Sequence, residues 1–295
     1  LLRSACTIFV RKFPAMRRKL IIGLCILVVL LAGIGIYLRN GFYGNCVLER
    51  RSLYVRSGSE YRTLEDSLDA AIAHTAFFRF YARHIELDRS FKPGHYVLEP
   101  GMNVVQVARM LKLGLQTPVR VTINNVRTPA QLAGKLARQI EADSATIVGA
   151  LTDPATARKA GLDSVTLFSM FIPDTYEFYW TVSPAQFIER MRREYDRFWT
   201  PQRDAKRQRS GLSRLEVMTL ASIVYEETRQ SDEMPRIAGV YINRLRKGWP
   251  LQADPTVKYA LQEFGLRRIL HRHLKYPSPY NTYINKGLPP SPICM

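Results

Sequence analysis

The most informative stretch of the chain is residues 213–229, which read Ser-Arg-Leu-Glu-Val-Met-Thr-Leu-Ala-Ser-Ile-Val-Tyr-Glu-Glu-Thr-Arg. Ser213 and Glu216 form a capping box, which predicts that a helix begins here. Apolar residues then recur at steps of three and four, which indicates one buried helix face. This face consists of Val217, Leu220 and Val224. The next residue on it is Glu227. A carboxyl group among apolar neighbours has a raised pKa and can hold a proton near neutral pH, as a general acid must.

Periodicity alone leaves two interpretations of Glu227 open. A glutamate in the last turn of a helix often reaches past the edge of the core into water, and it can also be catalytic. Its neighbour Glu226 falls on the face of Ser222 and Ile223 instead, and it is the alternative candidate for the acid.

A second helix is predicted after this one, with Pro235 near its start and Ser231 or Asp232 as its cap. Its packed face is expected to consist of Ile237, Val240, Tyr241, Arg244 and Leu245, with Gly248 after its end. Asn243 lies on a different side of this helix, so its amide is a candidate for a polar contact outside the core.

Polar residues continue beyond this helix. Asp254 precedes Pro255, a pattern typical of a helix cap followed by the first helical residue. Gln252 has no comparable structural role. His271 and His273 alternate and would share a face on a strand, but without a carboxylate neighbour they make a weak metal site. We therefore expect neither a metal nor a cofactor. The chain also lacks the nucleophile-elbow, zinc-protease, phosphate-loop and dinucleotide motifs.

An uncharged apolar run occupies residues 20–38. At about 1.5 Å per residue, a helix of this length spans the hydrocarbon core of a bilayer. Basic residues without any acidic one precede it, so the positive-inside rule predicts residues 1–19 as a cytoplasmic tail and the rest of the chain outside. A cleaved signal peptide is the alternative, although its apolar region would be shorter and would end at small residues. Met16 is a candidate for the true start.

The composition is that of a folded, strongly basic protein. The 295 residues include 43 Lys and Arg against 25 Asp and Glu, a net charge of +18, and 46% are hydrophobic. Such an excess favours anionic lipid headgroups or a carboxylate-bearing polymer as neighbours. No nucleic-acid-binding motif is present. The four cysteines show neither metal spacing nor the density of a disulfide scaffold.

Residues 39–118 are expected to form a small α+β domain after a linker over residues 39–49. The domain contains two similar units of strand, glycine turn and helix, which suggests a duplication. The expected elements are a strand at 52–56, a helix at 62–73, a strand at 95–98 and a helix from 104 that ends at Gly114. Such a unit can bind sugars or serve as a scaffold, and the pattern alone favours a scaffold.

Residues 119–295 are expected to form a second, mixed α+β domain. Residues 119–123 alternate as a strand does, and Thr128 with Pro129 marks a helix start. The aromatic segment 171–180 is either a platform for sugar stacking or a buried strand. A basic amphipathic helix is predicted over 184–199 and an exposed connection over 201–209.

Five segments in this order together resemble the endolytic murein transglycosylases of the YceG-like family. They are Leu220-Ala-Ser-Ile-Val-Tyr-Glu-Glu-Thr228, Val240-Tyr-Ile-Asn-Arg-Leu245, Leu251-Gln-Ala-Asp-Pro-Thr256, Tyr280-Asn-Thr-Tyr283 and Gly287-Leu-Pro-Pro290, with Ile172-Pro-Asp-Thr-Tyr176 upstream. The family pattern is commonly Glu-x-Glu-Thr at the first segment. Here Tyr225 replaces the first glutamate and Glu227 matches the second.

The resemblance covers about residue 50 to the end, plus the anchor, and implies a LysM-like domain followed by a catalytic domain. The family continues beyond the proline loop, so the catalytic domain is expected to be incomplete at its C-terminus. The implied protein is an inner-membrane, single-pass enzyme with an extracytoplasmic catalytic domain. Its implied partners are peptidoglycan strands, the membrane and cell-wall synthesis enzymes.

By the same resemblance, Glu227 would protonate the glycosidic oxygen between N-acetylmuramic acid and N-acetylglucosamine and then accept a proton from the muramoyl 6-hydroxyl. The residues expected to hold the substrate are Asn243, Gln252, Asp254, Tyr280 and Asn281. Two other functions remain open. One is a hydrolytic muramidase that uses Asp254 as its second carboxylate. The other is a non-catalytic glycan-binding scaffold at the membrane.

Overall fold

The computed structural model describes the backbone of residues 2–295 and the side chains from residue 19 onward. The chain is α+β, as predicted, and divides into two compact units. The first ends at Thr117 and the second is Pro118–Met295, one residue from the boundary expected between 118 and 119.

The first unit begins with helix α1 (Leu2–Tyr43). Its segment Lys19–Tyr43 has a mean hydropathy of 2.9 and is long and apolar enough to cross a membrane. The helix continues beyond Leu38, so the linker predicted from residue 39 starts only after Tyr43.

A two-stranded antiparallel sheet forms the centre of the first unit. Strand β1 (Arg51–Val55) pairs with β2 (Gly94–Leu98), with Leu53 opposite Tyr96. Three helices lie between them in sequence, α2 (Tyr61–Asp69), α3 (Thr75–His84) and α4 (Leu87–Ser90), and α5 (Val104–Leu113) follows. Both predicted strand-turn-helix units are present, as β1 with α2 and β2 with α5, but α3 and α4 stand between them and the two strands share one sheet. Asn103 and Gln106 cap α5 reciprocally, and Gly114 ends it with a φ of 70°.

The second unit contains two hydrophobic cores. The first surrounds strands β3 (Val119–Ile123) and β4 (Asp174–Phe178), which pair antiparallel with Val121 opposite Tyr176. Around them pack α6 (Pro129–Leu136), α7 (Ser144–Thr152), α8 (Pro154–Lys159), a 3₁₀ turn (Leu167–Met170) and α9 (Pro184–Phe198). Tyr176 and Phe178 are buried in this core, so the aromatic segment is a core strand at these positions, while Tyr179 is 56% exposed.

Helix α10 (Pro201–Ser210) occupies the segment expected to be an irregular connection. The sequence did not predict this helix because it has no apolar face, and none of its residues is buried. Thr200 caps it and Pro201 stands at its first position, a local start signal that outweighs the lack of amphipathicity.

The second core brings together α11 (Arg214–Glu227), α12 (Met234–Arg246) and α13 (Asp254–Leu261). Ser213 and Glu216 form the predicted capping box. Leu220 and Val224 are buried as predicted, while the half-buried Val217 packs against the other core.

Several predicted details of this region are wrong. Glu233 stands at the cap position of α12 without a side-chain bond, in place of Ser231 or Asp232. Val240 is 50% exposed and lies outside the packed face. Residues 271–274 form a short helix, α14 (His271–Leu274), and not a strand.

The last residues of the chain pack beside α11. The backbones of Val126 and Met295 exchange two hydrogen bonds of 3.1 and 2.9 Å. The backbone N–H of Ile293 donates to Ser222 Oγ at 2.9 Å. The segment thus connects the loop before α6 to the helix that carries both candidate glutamates.

Candidate active site

Glu227 is the last residue of α11, and its carboxyl meets a side chain of α12. The hydroxyl of Tyr241 donates a hydrogen bond of 2.9 Å to Glu227 Oε1. Tyr241 itself is buried. Burial raises the pKa of Tyr241 far above its usual range, so it remains a neutral hydrogen-bond donor. This hydrogen bond holds the carboxyl of Glu227 at Oε1.

The residue Glu227 is exposed as a whole, but its carboxyl has lost part of its water. This desolvation raises the pKa of Glu227, and the negative charge of Asp254 acts in the same direction. The hydrogen bond from Tyr241 and the charge of Lys258 oppose the rise. The C-terminal end of a helix also disfavours negative charge. These influences suit a carboxyl that must carry a proton near neutral pH.

The neighbouring Glu226 has a different environment. Both of its carboxylate oxygens accept hydrogen bonds of 2.9 Å from Arg127 Nη2, and Arg229 lies 3.4 Å from Oε1. Its side chain is only 14% exposed and that of Arg127 23%. A carboxylate held between two guanidinium groups is a fixed ion-pair partner, so Glu226 connects α11 to the loop before α6.

Asp254 begins α13 and does not cap it. The cap position belongs to Ala253, and the side chain of Asp254 instead accepts a hydrogen bond of 2.6 Å from the hydroxyl of Tyr283. Burial and this hydrogen bond raise the pKa of Tyr283 to about 12. Glu227 with Tyr241 and Asp254 with Tyr283 therefore form two carboxyl–tyrosine pairs whose charges act on one another.

Gln252 occupies a strained turn before α13. Its backbone has a φ of 55°, a region that residues other than glycine rarely adopt. Arg244 holds this turn by donating to the carbonyls of Pro250 and Leu251 at 3.2 and 2.8 Å and to Gln252 Oε1 at 3.1 Å. The side chain remains exposed, and strain of this kind often accompanies a functional position.

Two of the remaining predicted site residues, Asn243 and Tyr280, are at least partly exposed to solvent. Asn243 is exposed on α12. Tyr280 is half-buried, with its hydroxyl 2.6 Å from Ser291 Oγ and its ring 4.7 Å from that of Tyr259.

Asn281 was predicted to hold the substrate, but the structure places it inside the protein. It is 0% exposed. Its amide donates to the carbonyls of Leu274 and Tyr276 at 3.0 and 2.8 Å, and its Oδ1 accepts from Tyr283 N–H at 3.0 Å. A buried amide with these internal partners shapes the loop and does not reach a substrate.

The sequence did not predict the contacts that Tyr241, Tyr283 and Arg244 make with the candidate site residues. Tyr241 and Arg244 were predicted only as packing residues, and Tyr283 was part of a motif without a role. No local signal connects Tyr241 to Glu227 or Tyr283 to Asp254, because the partners are 14 and 29 residues apart.

Two cavities of the second unit lie away from Glu227. A groove of about 660 Å³ is lined by residues of β4 and α9, and an apolar groove of about 550 Å³ lies among α9 to α12. Neither is lined by Glu227, which is exposed at the end of α11. From residue 19 onward, no three His, Cys, Asp or Glu side chains come close enough to hold a metal ion.

A carboxyl that accepts a hydrogen bond from a tyrosine, and whose pKa is raised by burial and by a second carboxylate, can donate and accept a proton. Residues 53–295 match the YceG-like family, and the chain belongs to this family. This match confirms the resemblance seen in the motifs.

Known relatives agree with this assignment. The chain is 27% identical to the endolytic murein transglycosylase of Bacillus subtilis over 73% of its own length and 64% of the relative's. It is 24% identical to that of Streptococcus pneumoniae serotype 2 over 81% of its length and 49% of the relative's. The chain thus spans less than two thirds of these curated relatives. A crystal structure of a YceG-like protein from Listeria monocytogenes is 29% identical and superposes with a TM-score of 0.54, covering 83% of this chain and 86% of that one.

Proposed function

We propose that this chain is a membrane-anchored endolytic lytic transglycosylase of peptidoglycan. It cleaves the β-1,4 bond between N-acetylmuramic acid and N-acetylglucosamine and leaves 1,6-anhydro ends, which terminates or trims nascent strands. The observation that carries the proposal is the environment of Glu227, a partly desolvated carboxyl with one oxygen held by Tyr241. Family membership supports it.

The reaction needs one carboxyl group with two successive roles. Protonated Glu227 donates to the glycosidic oxygen, and the bond from this oxygen to C1 of N-acetylmuramic acid breaks. The muramoyl 6-hydroxyl then attacks C1 and gives its proton to Glu227. No water is consumed and the acid returns to its starting state. A raised pKa serves the first step, and the Tyr241 hydrogen bond, which stabilises the carboxylate, serves the second.

The other residues hold the substrate and the enzyme in place. Asn243, Gln252 and Tyr280 are proposed to contact the sugars and their N-acetyl groups. The first unit is proposed to be LysM-like and to contact glycan. Helix α1 is proposed to cross the inner membrane once, with the N-terminus in the cytoplasm and both units outside, near cell-wall synthesis enzymes.

A hydrolytic muramidase is the second candidate, and Asp254 favours it. Its charge acts on Glu227, and hydrolysis requires a second carboxyl as nucleophile or base. However, Tyr283 already occupies one oxygen of Asp254. The two reactions differ in product, because hydrolysis adds water and leaves a reducing end.

The test is mass spectrometry of purified glycan strands after incubation with the full chain, with and without borohydride treatment. Lytic cleavage gives ends that are lighter by one water and resist reduction. Reducing ends would support the muramidase, and binding without cleavage would support a scaffold. Glu227→Gln should abolish the anhydro product, while the matched Glu226→Gln variant should keep it.

A further inference from the structure

An aromatic cluster joins helix α3 to the outer end of α1 within the first unit. The ring of Phe77 lies 5.3 Å from that of Tyr37 and 5.0 Å from that of Phe42. Phe80 lies 5.9 Å from Phe42. A Cβ at Gly41 would overlap the ring of Phe77, so the missing side chain lets that ring rest on the backbone of α1. These contacts fix the height of α3 along α1.

If α1 spans the bilayer, the position of α3 along α1 lies at the level of the membrane surface. The uncharged run of α1 ends at Leu38. Phe42 is four residues further, about 6 Å along the helix axis. The headgroup region is about 5–8 Å thick on each side of the hydrocarbon core. Tyr37 therefore lies at the edge of the hydrocarbon, and Phe42 and Phe80 lie at the level of the headgroups.

The surface of α3 at this level is suited to lipid and poorly suited to water. Phe80 is 68% exposed although it belongs to the aromatic cluster. Arg83, three residues after Phe80 on α3, and Arg39, at the outer end of the uncharged run of α1, are also exposed. Tyrosine is enriched at the membrane–water interface, interfacial helices bury phenylalanine at the headgroup–acyl boundary, and arginine near the surface is attracted to anionic headgroups.

We propose that α3 lies in the outer headgroup layer of the membrane, with Phe80 inserted among the lipids. The inference rests on the proposed membrane crossing of α1 and goes beyond it, because it gives the first unit a second contact with the bilayer. A second contact holds the unit against the surface, so the distance over which the enzyme reaches glycan becomes limited.

The test uses the full chain in phosphatidylglycerol-containing vesicles, with lipids brominated near the headgroup as fluorescence quenchers. Phe80→Trp places a reporter on α3. The matched control is Tyr54→Trp, at an exposed aromatic position on β1 whose ring stacks on His95 at 4.6 Å. Trp180, Trp199 and Trp249 give a constant background, which the parent chain measures.

In vesicles we expect the tryptophan at position 80 to emit at shorter wavelength than the tryptophan at position 54. Bromolipid should reduce the emission from position 80 and leave that from position 54 unchanged. Equal quenching at both positions, or none at position 80 in a chain that floats with the vesicles, would overturn the proposal for α3. A chain that does not float with vesicles at all would instead overturn the anchor.

Discussion

Glutamine substitutions at the adjacent residues Glu227 and Glu226 should have opposite effects. The first should lower activity and keep stability, and the second should keep activity and lower stability. Glu227→Gln removes the proton that the reaction requires but keeps an oxygen that accepts from Tyr241. The expected loss is about 10²–10⁴ in kcat/KM, or about 3–5 kcal/mol of transition-state stabilisation. Since the hydrogen bond survives, the free energy of unfolding should change by no more than about 0.5 kcal/mol.

Glu226→Gln should leave activity largely intact and lower stability. The substitution removes the charge between Arg127 and Arg229 and leaves a guanidinium that is only 23% exposed without its partner. Breaking a fully buried pair costs about 3–5 kcal/mol, and partial exposure lowers this to about 2–3 kcal/mol. For a unit of this size, Tm should fall by about 4–12 °C.

Differential scanning fluorimetry and mass spectrometry of anhydro ends on the same preparations measure both effects. The Tm of the Glu227 variant should stay within about 2 °C of the parent. If the Glu226 variant loses cleavage at unchanged Tm, or the Glu227 variant still cleaves at a rate near that of the parent, the assignment of the acid is wrong.

Three further predictions concern the surroundings of the acid. Tyr241→Phe removes a hydrogen bond that lowers the pKa of Glu227, so the alkaline limb of the kcat/KM profile should move to higher pH, where the acid now stays protonated. Asp254→Asn removes a charge that raises this pKa, so the limb should move to lower pH while the product keeps its anhydro ends; loss of all cleavage would favour the muramidase. Asn281→Ala removes the hydrogen-bond partner of two carbonyls and one N–H and should cost about 2–4 kcal/mol, measured by urea unfolding; a cost near zero would show that the loop does not depend on this amide.

Much of the fold follows from local patterns. The capping box at Ser213, the alternation over β3 and the glycine end of α5 each act within a few residues, and each element forms where predicted. The apolar run of α1 is also visible in the sequence, because its length and lack of charge are local properties. The two helices that were not predicted also have a local explanation. Residues 201–210 and 271–274 lack the apolar periodicity by which helices are recognised.

The sequence by itself determined which two glutamates were candidates, because helical periodicity and the family motif both lead to the end of α11. Both patterns favoured Glu227, and the tertiary structure then gave the two side chains different partners. Glu226 meets Arg127 across 99 residues, whereas Glu227 meets Tyr241 on the next helix. In the folded chain Asn281 also points inward, and Asp254 accepts a hydrogen bond from Tyr283. The proton affinity of a carboxyl depends on the charges, donors and water around it, and chain folding brings these neighbours together from distant positions.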